Sequence, residues 1–305
     1  MLTAHVERYI ALRRSLGFKL RDPARHLQSF AHFATERGET HIITATAVAW
    51  ATTARTRTAR HRRLQEVEHF ARFMRAEDEA HEIPPSGLFA APASRPAPYI
   101  YTPDELTRIL EAAGQLCRQR PDPLQRATYV MLFGLIASTG LRVSEALNLR
   151  FDDLLSGGVL RIRETKFCKS RLVPLHETVV EALDRYLDMR RRFAGSDDHL
   201  FLSMKGKALA YNSVNKAFHR VLQLTNIAPH RIRRPRVHDL RHTFATRVLE
   251  QCCTRRDAIA RHFVALSTYM GHSDIAHTYW YLEATPELMT DIAVATEALV
   301  AGEAR

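Results

Sequence analysis

Between Pro84 and Pro103 six prolines (Pro84, Pro85, Pro92, Pro96, Pro98 and Pro103) interrupt a stretch rich in alanine and poor in charge. Proline fixes φ and lacks an N–H, so neither a helix interior nor a central strand runs through such a segment. The chain on either side must bury its apolar surface separately. At 305 residues it is long enough for two cores. The expected organisation is a helical domain over 1–83, an extended and semi-rigid linker over 84–103, and a second domain over 104–305. Thr102-Pro103-Asp104-Glu105 announces a helix start: a capping threonine, proline at the first position and acids in the first turn.

Before the linker every periodic signal is helical. Val6, Tyr9, Ile10, Leu12 and Leu16 predict one apolar face, and Leu27, Phe30, Phe33 and Ala34 a second. Thr44 is placed to cap a third helix, running to Thr52. A fourth, from about Thr56 to Ala76, carries Leu64, Val67, Phe70, Phe73 and Met74 on one side. No strand signal intervenes, so a four-helix bundle is expected. Arg55, Arg57, Arg60, Arg62 and Arg63 open the fourth helix without an acid among them. A solvated helix face would account for them. A face that tracks phosphates along a DNA groove accounts better for them alongside the basic balance of the whole chain.

After the linker, Ala127 to Ala137 is almost wholly apolar and reads as a helix buried on most faces. Ser138-Thr139-Gly140 breaks it, and Leu141 to Leu149 restarts a helix. The clear β signals are Val159 to Arg163 and Arg171 to Leu175, two antiparallel strands joined by a turn holding Lys166 and Lys169. Helices resume at about Val179 to Arg192 and Tyr211 to Leu224. The fold class is therefore mainly α with a small antiparallel β-sheet: a helical bundle plus a mixed α/β domain.

The net charge of +11, mostly from arginine, suggests a polyanionic partner. It is densest at 230–247, where Arg231, Arg233, Arg234, Arg236, Arg241 and Arg247 meet the single acid Asp239. A structural face of that kind would repel itself, so something negative is expected there. No apolar run reaches the ~20 residues of a membrane span, and no signal-peptide core opens the chain, so a cytoplasmic protein is expected. Cys117, Cys168, Cys252 and Cys253 are too scattered for a disulfide framework and lack zinc-ligand spacing; they read as reduced and structural.

Two arginine forks can clamp the non-bridging oxygens of a phosphodiester. A histidine can shuttle a proton, a lysine on a turn can protonate a leaving alkoxide, and a tyrosine can attack once cations lower its pKa. Those residue types occur in order here. Thr139-Gly140-Leu141-Arg142-Val143-Ser144-Glu145 resembles the first arginine box of the tyrosine recombinases, or phage integrase family. Lys166 to Leu175 resembles that family's lysine hairpin, His238-Asp239-Leu240-Arg241 its His-x-x-Arg box, and Gly271-His272-Ser273 followed by Tyr281 its histidine and nucleophile. The resemblance spans about 104–290; the helical domain matches only in type and position, as a core-DNA-binding bundle. Each motif alone is weak, since His-x-x-Arg merely shares a helix face and a lone tyrosine is usually a half-buried aromatic. Together, and in this order, they are specific.

The resemblance implies a site-specific DNA recombinase of integrase or transposase type. Arg142, Arg241 and His272 would hold the scissile phosphate, His238 assist, Lys166 protonate the departing 5′ oxygen, and Tyr281 form a 3′-phosphotyrosyl bond on the way to a Holliday junction. Family spacing selects Tyr281 over Tyr279, and Lys166 over Lys169. Glu145 is read as a support for the cationic site. Phe167 and Cys168 stand where relatives often carry glycines, which stiffens the turn. No cofactor and no metal are implied. The implied partners are double-stranded DNA, held between the two domains, and further copies of the chain in a tetrameric synapse. The helix expected after Thr285 packs on its own domain or, as the resemblance implies, docks on a neighbouring subunit, and other recombinase subunits are further implied partners. Action would be at the nucleoid. A non-catalytic DNA-binding module on the same fold is the alternative. The stretch carrying Cys252, Cys253, Arg255, Arg256, Arg261 and His262 has no assignment from the sequence.

Overall fold

An almost continuously apolar helix, α6 (Pro123–Thr139), is the centre of the larger of two compact units in the computed structural model, which divides at 1–95 and 96–305. The structure describes residues 2–89, 97–116, 123–163, 170–193, 197–229, 234–251 and 256–271. Lys166, Lys169, Arg231, Arg233, His272, Tyr279, Tyr281, the four cysteines and the helix expected after Thr285 lie outside them.

The first unit contains α1 (Leu2–Ser15), α2 (Arg21–Thr35), α3 (Thr44–Thr52) and α4 (Arg57–Arg75). Their apolar faces close over Leu27, Phe30, Trp50, Val67 and Phe70. Two expectations are corrected. Leu12 and Leu16 are exposed: Leu12 lies about 200° round the helix from Ile10, and Leu16 follows the end of α1. Thr44 is the first helical residue rather than the cap. Its N–H donates to the Glu82 carboxylate at 2.7 Å, so an acid from beyond α4 satisfies the orphan donor. Thr56 does cap α4, accepting from the Ala59 N–H.

In the second unit α5 (Pro103–Gly114) begins with the expected capping box: Thr102 Oγ1 accepts from Glu105 N–H, and Glu105 Oε2 from Thr102 N–H. The helix packs beside α6, as do α8 (Glu177–Arg191) and α10 (Val237–Glu250). Leu132, Phe133, Leu135 and Ile136 are wholly buried, so α6 is enclosed on most sides. The helix restarted after Gly140 is short, α7 (Val143–Leu147), and α9 (Tyr211–Thr225) packs on α5 and α7.

Among the described residues the sheet has three antiparallel strands in the order β1 (Leu154–Leu155), β2 (Val159–Ile162), β3 (Arg171–Pro174). The two-residue β1 is too short for a periodicity signal and was not expected. Leu160 pairs with Val173 and both are buried, whereas their neighbours Arg161 and Leu172 pair on the outer face. Buried Asp153 holds the start of the sheet, accepting from Arg161 and Arg163 and from the Arg150 N–H.

The unassigned stretch after Arg241 is helical where the structure describes it. α10 continues to Glu250, and α11 (Arg256–Met270) packs on it through Ala245, Leu249, Phe263, Leu266 and Met270. Tyr101 ties the start of the unit to α10. Its N–H donates to Thr243 Oγ1 at 3.0 Å and its hydroxyl to the Arg236 carbonyl at 3.2 Å.

Candidate phosphate-binding site

Gly140 and Gly271 end α6 and α11 in the left-handed region, with φ of +62° and +65°. Both are glycine for a reason beyond the dihedral. A Cβ on Gly140 would lie 2.5 Å from the Phe244 ring and 2.7 Å from Met270 Sδ; one on Gly271 would lie 2.7 Å from Arg171 Nη1. The two helix ends thus approach α10 and β3 closely, and their carbonyls face arginines.

Three arginines take three successive carbonyls at the end of α11. Arg171 Nε donates to the Tyr269 carbonyl at 2.8 Å, Arg241 Nη2 to Met270 at 2.9 Å, and Arg142 Nη2 to Gly271 at 2.9 Å. Arg241 Nη1 also donates to the Gly140 carbonyl. The last carbonyls of a helix lack intrahelical donors and carry the negative end of its dipole, so cations are favoured there. Arg241 is 1% exposed, and burial at that level requires such partners. Arg142 remains 29% exposed in its side chain.

Glu145 sits among these cations in the first turn of α7. It accepts from the Arg142 N–H at 3.0 Å and Arg142 Nη1 at 2.6 Å, and from both terminal nitrogens of Arg171 at 3.0 and 2.7 Å. Burial alone would raise its pKa. The Arg171 hydrogen bonds and charge, followed by those of Arg142, outweigh burial and bring it down to about 2. The carboxylate is charged across the physiological range.

His238, in the first turn of α10, lies in the same field. Burial first, then the charges of Arg241, Arg236 and Arg142 against the opposing Asp239, lower its pKa to about 4. Its ring stands edge-on to His242 at 4.7 Å. A neutral imidazole among arginines can accept a proton or a hydrogen bond once a phosphate lowers the local potential.

Arg142, Glu145, His238 and Arg241 are therefore brought together, beside the residue that precedes His272 in the chain. Arg171 was missed as a site residue. Its position directly after the lysine turn was visible, but its partners Glu145 and Tyr269 are 26 and 98 residues away.

Within 230–247 several of the described cations have partners in the protein itself. Arg236 pairs with Asp239 at 2.9 Å, Arg247 with Glu250 at 3.7 Å, and Arg241 turns inward onto carbonyls. Arg234 is exposed. In the first unit Arg60 donates to the Ala54 carbonyl, Arg62 pairs with Asp22 and Glu66, and Arg63 donates to Thr53 while lying over Trp50. Arg55 and Arg57 are exposed.

Comparison with known proteins matches residues 100–287 to the phage integrase family. The putative integrase/recombinase y4rB of Sinorhizobium fredii is 39% identical over 294 residues, covering 94% of each chain. Tyrosine recombinase XerC of Escherichia coli O1:K1 / APEC is 28% identical, covering 90% of this chain and 88% of its own. Among solved structures, the XerH site-specific recombinase bound to palindromic difH substrate has a TM-score of 0.64 at 20% identity, over 90% of this chain and 78% of that one. A lambda integrase dimer bound to a COC' core site has a TM-score of 0.62 at 18% identity, over 93% and 77%. With more than half of its residues matched to the family and a relative this similar along nearly its whole length, the chain belongs to the phage integrase family, the tyrosine recombinases.

Proposed function

We propose that the protein is a site-specific DNA recombinase that cuts and rejoins DNA through a 3′-phosphotyrosyl intermediate. Arg142 and Arg241 hold the non-bridging oxygens of the scissile phosphate with His272, and neutral His238 assists by accepting a hydrogen bond or proton. The Tyr281 oxygen attacks phosphorus, the bond to the 5′ oxygen breaks, and Lys166 protonates that oxygen. The new ester keeps the energy of the old one, so the 5′ hydroxyl of a partner strand reverses the step, and two rounds of exchange pass through a Holliday junction. The 1–83 bundle supplies a second DNA contact through Arg55 and Arg57, the catalytic domain supplies Arg231, Arg233 and Arg234, and four copies assemble on DNA in the cytoplasm, at the nucleoid.

The convergence of Arg142 and Arg241 on the end of α11, one residue before His272, with His238 in the field of both, carries this reading. A nicked suicide substrate drawn from the repeats flanking the gene tests it. A covalent protein–DNA adduct is expected, absent in Tyr281→Phe and retained in Tyr279→Phe. An adduct of equal yield in Tyr281→Phe overturns the nucleophile; no adduct from the unaltered protein overturns the reaction.

A further inference from the structure

Arg171, like Arg142, bonds both the Glu145 carboxylate and the end of α11, and it does so from the β3 side. Its fork closes on Glu145, its Nε reaches the Tyr269 carbonyl, and its guanidinium fills the space where Gly271 lacks a Cβ. The side chain is only 12% exposed. It is buried too deeply to serve as a simple surface cation, and each of its three nitrogens donates to a protein acceptor.

We propose that Arg171 is a positioning residue for the recombination reaction, fixing Arg142 through Glu145 and fixing the end of α11 from which the chain continues to His272 and Tyr281. Without it Glu145 keeps one arginine instead of two, and Arg142 gains a second way to pair with that carboxylate. The Tyr269 carbonyl loses its donor, and the end of α11 at Gly271 is no longer held from the β3 side. A phosphate clamp misplaced by an ångström loses rate rather than DNA affinity, because the groups at fault act on the transition state. The inference rests on the recombinase reading above.

The test compares the unaltered protein with Arg171→Ala and Arg171→Lys in single-turnover cleavage of the nicked substrate at saturating protein. The Ala variant is expected to cleave roughly a hundredfold more slowly, with its half-saturating concentration changed by less than about threefold. Lys, which restores the ion pair but not the fork, is expected to fall between. Glu145 in the Ala variant loses its strongest stabilising partner while staying buried, so the cleavage rate should drop more steeply than that of the unaltered protein between about pH 8 and about pH 5. A substrate with sulfur in place of the leaving 5′ oxygen, which departs without a proton, should leave the deficit in place. Thermal melting identifies a variant that fails to fold, in which case the Lys variant decides. Cleavage within about threefold of the unaltered rate, a loss confined to DNA affinity, or full rescue by the sulfur substrate would overturn the proposal. Adduct formation by the unaltered protein in the same assay separates this outcome from failure of the recombinase reading itself.

Discussion

Arg241 donates to the Met270 carbonyl at 2.9 Å, across 29 residues of chain, from a position 1% exposed to solvent. The guanidinium assigned to phosphate is thus also a structural bolt between α10 and the end of α11. Arg241→Ala should abolish adduct formation and, by stranding the Gly140 and Met270 carbonyls, cost about 1–3 kcal/mol for each one left buried without a donor. Urea unfolding checks the second effect separately from the first. A variant with unchanged stability would show that these carbonyls find other donors.

Gly140→Ala should destabilise the second unit. The left-handed backbone costs about 1–2 kcal/mol for a residue with a Cβ, and the new methyl overlaps Phe244 and Met270, which adds about 1–3 kcal/mol. Gly38→Ala, also at positive φ but with open space around its Cβ, should show only the first cost. Equal losses at the two positions would remove the packing argument.

The lowered pKa of His238 makes stability fall in acid. Above the unfolded value near 6.5 the ring is neutral in both states and contributes nothing to the pH dependence. As pH falls from about 6.5 towards about 4, the unfolded chain binds a proton that the folded site refuses, and the protein loses up to about 3 kcal/mol. His238→Gln should flatten the melting temperature over that window. An unchanged slope in the variant would place the acid sensitivity elsewhere.

The five arginines of 55–63 should separate in a DNA-binding titration against salt. Arg55→Gln and Arg57→Gln should each lower the salt slope by about one ion. Arg60→Gln should cost stability instead, since its Nε holds the Ala54 carbonyl. An undiminished slope in the first two would remove this helix start from the DNA-contacting surface.

Much of the site could be read along the chain because its chemistry is carried by local spacing. Arg142 and Glu145 are three residues apart, as are His238 and Arg241, and a helix start places such pairs on one face. The alternation of β2 and β3 set the faces of Leu160 and Val173 in the same way. What spacing could not supply was direction. The positive density at 230–247 marks cations without marking their partners: Arg236 closes on Asp239 and Arg241 turns to carbonyls. Leu12 looked apolar enough for the core and lies on the wrong side of α1.

By itself the sequence determined the helical content, the break at the proline-rich segment, the family and the order of its motifs, because backbone propensity, periodicity and short motifs are properties of neighbouring residues. Only the tertiary structure decided that three arginines, from β3, from the start of α7 and from α10, meet at the last turn of α11, and that Glu145 serves two of them. Those acceptors are main-chain carbonyls, which every residue carries and no sequence pattern marks. The hydrogen bonds join positions up to 129 residues apart, so they exist only once the packing of α6, α10 and α11 has brought the helix ends together.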